Sequence, residues 1–223
     1  MTNRKTSEYG CAPQSLNIYF IRHGETAWSR SGQYTGSTDI PLTAHGEDEA
    51  REVGLRLRNI LFTHVLTSPL QRARQTCALA GLKPPPTIVP DLAEWDNGDD
   101  EGRTPAEIAA SRPRWNLFRD GAPNGETPAQ LSARADRVIA HLRTLDGNVA
   151  LFSHGHVGRV LAARWIGLTV AHAQHFLLNT ASVSVLCYEH NRPDQPAIAS
   201  WNARAPRSID PATDLAGLET GLG

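Results

Sequence analysis

Two rhythms of apolar residues alternate along this chain, short unbroken runs and stripes at helical spacing. Residues 16–21 are nearly all apolar, the pattern of a strand covered on both faces, and they run straight into Arg22-His23-Gly24. Over 43–60, Ala50, Val53, Leu57 and Ile60 recur at helical spacing opposite Glu47, Glu49, Arg51, Glu52, Arg56 and Arg58, which predicts an amphipathic helix. Residues 64–67 predict the next strand, and Ser68-Pro69 opens a helix over 70–82 with Arg72 in its first turn. Thr127-Pro128-Ala129-Gln130 has capping-box spacing, and Leu131, Ala135, Val138 and Leu142 follow on one stripe of a long helix. Residues 149–153 form another buried-strand run that ends at His154-Gly155, and 157–166 predict a helix stopped by Gly167.

Between these elements, 83–124 is rich in proline, glycine and aspartate. It predicts an excursion over one end of the sheet, with a brief strand at 87–89 and short helices at 105–111 and 115–119. Residues 182–188 and 197–201 predict a closing strand pair joined by the turn Asn191-Arg192-Pro193-Asp194. Strand and helix alternate, so the expected fold is α/β, a three-layer α/β/α sandwich with a mainly parallel central sheet. One domain is expected over 15–202, between flexible ends at 1–14 and 203–223.

Charge narrows the partners. With 22 basic and 23 acidic residues and a formal net charge of −1, no basic field exists to collect nucleic acid or an anionic membrane. Three scattered cysteines suit neither a disulfide framework nor a zinc set, and no targeting or spanning segment is visible, so the expectation is a cytoplasmic protein acting on a small molecule. Self-association is left open.

In an open parallel sheet, ligands bind beyond the carboxyl ends of the strands, and two strands here end in histidine followed by glycine. His23 and His154 are therefore placed at one pocket, where Gly24 and Gly155 would let a ligand approach backbone amides and the helix after His154 would face an anion. Arg22 and Arg72 supply planar, permanently charged forks that match phosphoryl oxygens. A neutral imidazole can attack phosphorus in line, so His23 is the candidate nucleophile. Glu94 is the candidate acid, with Leu92 and Trp95 near enough to raise its pKa toward neutrality. His154-Gly155-His156 has the look of a metal pair, but no carboxylate or cysteine cluster completes it, and neither metal nor cofactor is expected.

Arg22-His23-Gly24-Glu25-Thr26, Ser68-Pro69-Leu70-Gln71-Arg72-Ala73, Glu94 and Ser153-His154-Gly155 occur in the order seen in the histidine phosphatase superfamily. The chain resembles its phosphoglycerate mutase-like branch over about 18–201, with lesser markers at Tyr34-Thr35-Gly36, 39–43, Glu101-Gly102 and 124–127. The resemblance implies that His23 is phosphorylated, that Arg22, Arg72 and His154 hold the phosphate, and that Glu94 donates the proton. Mutases of this branch carry a tyrosine soon after the acid and a paired-arginine segment, for which Arg112-Pro113-Arg114 is only a partial substitute, so a phosphatase is favoured over a mutase.

Residues 31–36, Glu94-Trp95, Trp115-Asn116, 119–121 and His154-Gly155-His156 resemble the sedoheptulose-1,7-bisphosphatase type, which implies a sugar phosphate or bisphosphate as substrate. Asn97 stands where that type has tyrosine. Ser29, Gln33, Tyr34, Thr35, Gly36, Gly155, His156 and Arg159 are the expected substrate contacts, Arg159 for a second phosphate. A non-catalytic binding protein of the same fold is the third reading. Every expected catalytic position holds a competent residue, which argues against it.

Overall fold

A computed structural model describes residues 16–204, so the expected ends at 1–14 and beyond 204 lie outside the described residues. Four strands run parallel: β1 (Asn17–Arg22), β2 (His64–Thr67), the short β3 (Thr87–Ile88) and β4 (Asn148–Ser153). β5 (Val183–Tyr188) pairs antiparallel with β1, and β6 (Pro196–Ala203) antiparallel with β5. The order across the sheet is β3-β2-β4-β1-β5-β6. The strands at its centre, β4 and β1, are the two that end in histidine, and their register sets Arg22 opposite Ser153.

Alternation along the strands splits the core into two faces. Ile18, Phe20, Leu66, Val149, Leu151 and Leu186 pack with α6 (Pro128–Leu142) and α7 (Gly155–Trp165). Tyr19, Ile21, Val65, Ala150, Phe152, Val183 and Val185 pack with α2 (Ala44–Leu57) and α3 (Gln71–Ala80). This is the expected three-layer sandwich.

Capping decides several helix ends. Thr127 and Gln130 complete the capping box of α6, and Thr43 caps α2 through Gly46 N. A short α1 (Ala27–Ser31), which no periodicity marks, is held by a box between Thr26 and Ser29. α7 starts at Gly155, two residues ahead of the stripe that predicts it, because His154 is extended and acts as its N-cap.

One expectation for α2 is corrected. Glu49 belongs to the charged face in the sequence pattern, yet it is 6% exposed. Its carboxylate accepts from Glu25 N at 2.8 Å and pairs with Arg204 at 2.6 Å, so partners from outside the helix compensate the buried charge. The same pair carries ordered chain past β6 to Arg204.

The stretch 83–124 holds a 3-10 turn at Pro90–Leu92, then α4 (Pro105–Ser111) and α5 (Leu117–Asp120). α5 begins two residues later than the pattern suggests because Asn116 caps it through Phe118 N. Leu92 and Trp95, both buried, anchor the stretch in the α6/α7 face of the core and fix Glu94 between them.

Candidate active site

A cavity of about 180 Å³ opens at the carboxyl ends of β1 and β4. It is lined by Arg22, His23, Ser29, Gly32, Gln33, Tyr34, Thr35, Glu94, Gly155, His156, Arg159 and Leu178. His23 is 4% exposed, and its Nδ1 lies 2.7 Å from the carbonyl oxygen of Gly24. A carbonyl only accepts, so Nδ1 carries the proton and Nε2 keeps its lone pair. Burial, then the charges of Arg22 and Arg72, hold the imidazole pKa well below its ordinary value. The candidate nucleophile is therefore a neutral ring with a defined tautomer.

Arg22 crosses to the far side of the cavity, where Nη1 donates to Leu178 O. Its Nε is buried with no partner among the described residues. A buried, unpaired guanidinium N–H is costly, and an oxyanion in the cavity would satisfy it.

Glu94 departs from expectation. Its carboxylate accepts from Trp95 N at 2.8 Å, Val157 N at 2.9 Å and His156 N at 3.0 Å. Burial pushes its pKa up, but His156 and these three backbone donors outweigh burial, and the pKa lies below the ordinary value, not near neutrality. The apolar neighbours that suggest a raised pKa are present; the N-terminus of α7, 62 residues away, reverses their effect. The anion at that helix start is Glu94 itself.

Arg72 and His154 form the wall behind His23 and do not line the cavity. Arg72 is fully buried, donating from Nε to His154 Nδ1 (3.1 Å), from Nη1 to Thr38 O (3.0 Å) and from Nη2 to Gly36 O (2.8 Å). Since Arg72 can only donate, His154 Nδ1 is bare and its Nε2 carries the proton toward Ser68 Oγ at 2.7 Å. His154 is neutral, its pKa held well down by burial and Arg72, with its ring centroid 5.3 Å from that of His23.

The two glycines also serve differently from expectation. A Cβ on Gly24 would lie 2.3 Å from Gly46 O, and one on Gly155 would lie 3.3 Å from the Arg22 guanidinium. Gly24 clears space for protein, whereas Gly155 both leaves room for Arg22 and lines the cavity. Gly36 lies outside the cavity and is hemmed in by Glu101, Trp95 and Asn97. Asn97 is fully buried, lines neither this cavity nor the next, and its amide has no partner among the described residues.

Sequence reasoning did not include Gly32 and Leu178 in the site. Leu178 touches Arg22 across 156 residues, and no periodicity signals such a contact. It also left out an adjoining cavity of about 420 Å³, which shares Tyr34, His156 and Arg159 with the first and is otherwise lined from 105–117, Phe118 and Gln174. Arg159 stacks 4.4 Å from the Phe118 ring centroid, and burial pushes its pKa down to about 10.

The family profile "Histidine phosphatase superfamily (branch 1)" matches residues 18–204. Sedoheptulose 1,7-bisphosphatase of Saccharomyces cerevisiae is 35% identical over 243 residues, covering 80% of this chain and 89% of that protein. An acid phosphatase of Mycobacterium tuberculosis is 38% identical over 179 residues, covering 78% of this chain and 87% of its own length. The crystal structure of the α-ribazole phosphatase from Shigella flexneri superposes with a TM-score of 0.74 at 31% identity, covering 85% of this chain and 98% of that one.

Proposed function

Given that the chain belongs to branch 1 of the histidine phosphatase superfamily, we propose that it is a metal-independent phosphatase of sugar phosphates or bisphosphates, working through a phosphohistidine on His23. The observation that carries this reading is the convergence, on one small cavity, of a bare imidazole nitrogen, an unpaired buried Arg22 Nε–H and a carboxyl group. In the first step His23 Nε2 bonds to phosphorus as the ester P–O bond breaks, and the leaving oxygen takes a proton from Glu94. In the second, water attacks phosphorus, its proton goes to Glu94, the N–P bond breaks, and His23 returns to its neutral state. Arg22 offsets charge on the equatorial oxygens, Arg72 and His154 form the wall behind His23, and burial with the charges of Arg22 and Arg72 keeps His23 neutral.

Glu94 is a carboxylate in the free enzyme, so it must take up a proton when the substrate's negative charge arrives. A cavity of about 180 Å³ suits a phosphoryl group and little else. The alcohol part then extends past Tyr34 and His156 into the adjoining cavity, where Arg114 and Arg159 have no carboxylate within salt-bridge distance among the described residues. That pairing supports an alcohol bearing a second anionic group.

A panel of sugar monophosphates, bisphosphates and 3-phosphoglycerate, scored for free phosphate against isomerised product, tests the reading. Phosphate release that prefers bisphosphates and persists in chelator is expected. Isomerised product without phosphate release would establish a mutase instead, and binding without either product a non-catalytic protein. Arg159→Met should raise KM for a bisphosphate about tenfold or more, equivalent to ~1.4 kcal/mol, and leave KM for p-nitrophenyl phosphate within about threefold.

A further inference from the structure

His156 has no place in the two steps above, yet it is built into the site as closely as any residue that does. Its side chain is 17% exposed and forms part of the partition between the two cavities. Three rings box it, with centroids 5.3 Å away for Tyr34, 5.7 Å for Phe118 and 6.3 Å for Trp95. Inside that box Nδ1 is buried without a hydrogen-bond partner among the described residues, 4.0 Å from Glu94 Oε2. Leaving such an atom unpaired is costly, which calls for a function.

The partner it lacks is next to it. Oε1 of Glu94 accepts two backbone N–H groups, from Trp95 and Val157, whereas Oε2 accepts one, from His156 itself. Oε2 is thus the oxygen with free capacity, and it is the one that faces Nδ1. A gap of 4.0 Å is long for proton transfer but closes with a small ring rotation, as contacts between catalytic groups often do when the site fills.

We propose that His156 loads Glu94 with the proton that the leaving group will take. The imidazole accepts a proton at Nε2 from hydronium on the cavity side, which departs as water, and releases the one on Nδ1 to Glu94 Oε2. The ring ends as the other neutral tautomer, Glu94 ends as the carboxylic acid, and rotation or re-equilibration with water restores the ring. This proposal rests on the phosphatase reading of the site, because only a reaction with a poor leaving group needs the acid.

The groups that face the ring fit a transient carrier and not a standing cation. Glu94 attracts a proton to it, while Arg159 on α7 and Arg22 on β1 repel one, and Tyr34, Trp95 and Phe118 exclude water. Burial and those arginines hold the free imidazole down to about 4, so it stays neutral until an anion enters and offsets the arginines. Charge arriving on the substrate is then the trigger for loading.

His156→Asn keeps an amide near the Nδ1 position and removes the titration. Relative to the unsubstituted protein it should lower kcat on an alkyl ester such as glycerol 1-phosphate about a hundredfold, the range for loss of proton transfer. On 2,4-dinitrophenyl phosphate, whose leaving group needs no acid, the loss in kcat should be at least about tenfold smaller than on the alkyl ester. Added imidazole should restore part of the alkyl-ester rate. Equal losses on both esters, or none on either, would overturn the relay.

A second measurement needs no variant. In the unsubstituted protein, when sulfate fills the cavity, carbon-13 NMR should show the Glu94 carboxyl taking up a proton and nitrogen-15 NMR should show the His156 ring exchanging its proton between Nδ1 and Nε2. A Glu94 carboxyl that stays ionised, or a ring whose proton stays on one nitrogen throughout, would overturn the relay even if His156→Asn does not fold. Failure of the unsubstituted protein to release phosphate from either ester would instead fall on the phosphatase reading.

Discussion

His23 is fitted for attack by what each ring nitrogen is allowed to do. Nδ1 is committed to Gly24 O, and two arginines plus burial keep the ring unprotonated, so Nε2 is available without a separate base. His23→Ala should therefore abolish turnover, a loss of at least ~10⁴ in kcat, with Kd for sulfate changed little. The proposed mechanism needs His23 neutral and, once substrate is bound, Glu94 protonated, and in the free enzyme both pKa values lie below the ordinary ones. Protonation of His23 is then delayed to strongly acidic pH, while Glu94 loses its proton early as pH rises. On an alkyl ester, kcat/KM should peak on the acid side of neutrality and fall toward pH 8, and Glu94→Gln should lower the peak and flatten that fall. An unchanged alkaline limb in Glu94→Gln would remove Glu94 as the acid.

Among the elements, β1 and α2 show how tightly the scaffold holds the loop that carries His23. Gly24 meets Gly46 so closely that an added methyl group would lie 2.3 Å from the Gly46 carbonyl oxygen. Gly24→Ala should destabilise the protein by about 1–3 kcal/mol and depress kcat, because the same backbone carries the carbonyl that fixes the His23 tautomer. Thr127→Ala at the start of α6 is the control: loss of its cap on Gln130 N should cost about 1 kcal/mol in denaturant unfolding with kcat unchanged. These elements were readable in the chain from their apolar periodicity. Their ends were less so, since α7 begins where the extended His154 caps it and α5 where Asn116 does.

At the scale of the whole molecule, three histidines, the buried His23 and His154 and the largely covered His156, are held neutral, each with a folded-state pKa below the ordinary value of about 6.5. The unfolded chain then binds more protons than the folded one on the acid side of that value. Their contribution is complete above about pH 6.5 and is lost as pH falls, by up to ~1.4 kcal/mol per pH unit for each histidine. Unfolding free energy measured by denaturant from pH 8 to pH 4.5 should decline accordingly, with the steepest part below pH 6.5. His154→Gln, if it folds, should make that decline shallower. A stability that is flat between pH 6.5 and 5 would mean that these rings are already charged in the folded state.

The sequence by itself determined the α/β order, the covered strands and the placement of His23 and His154 at strand ends, because periodicity and chain order are local properties that topology rules extend to a sheet; that the two strands are neighbours came from the sheet. It also supplied Arg22, Arg72 and Glu94 as a set whose order matches the family. Tertiary structure alone decided what those residues do to one another. The helix start of α7 turned Glu94 into a carboxylate, Gly36 and Thr38 took up Arg72, and Arg204 with Glu25 made Glu49 a buried charge. The reason is physical: hydrogen bonding, desolvation and Coulomb interaction depend on distance in space, and here the deciding partners lie from 24 to 155 residues apart in the chain.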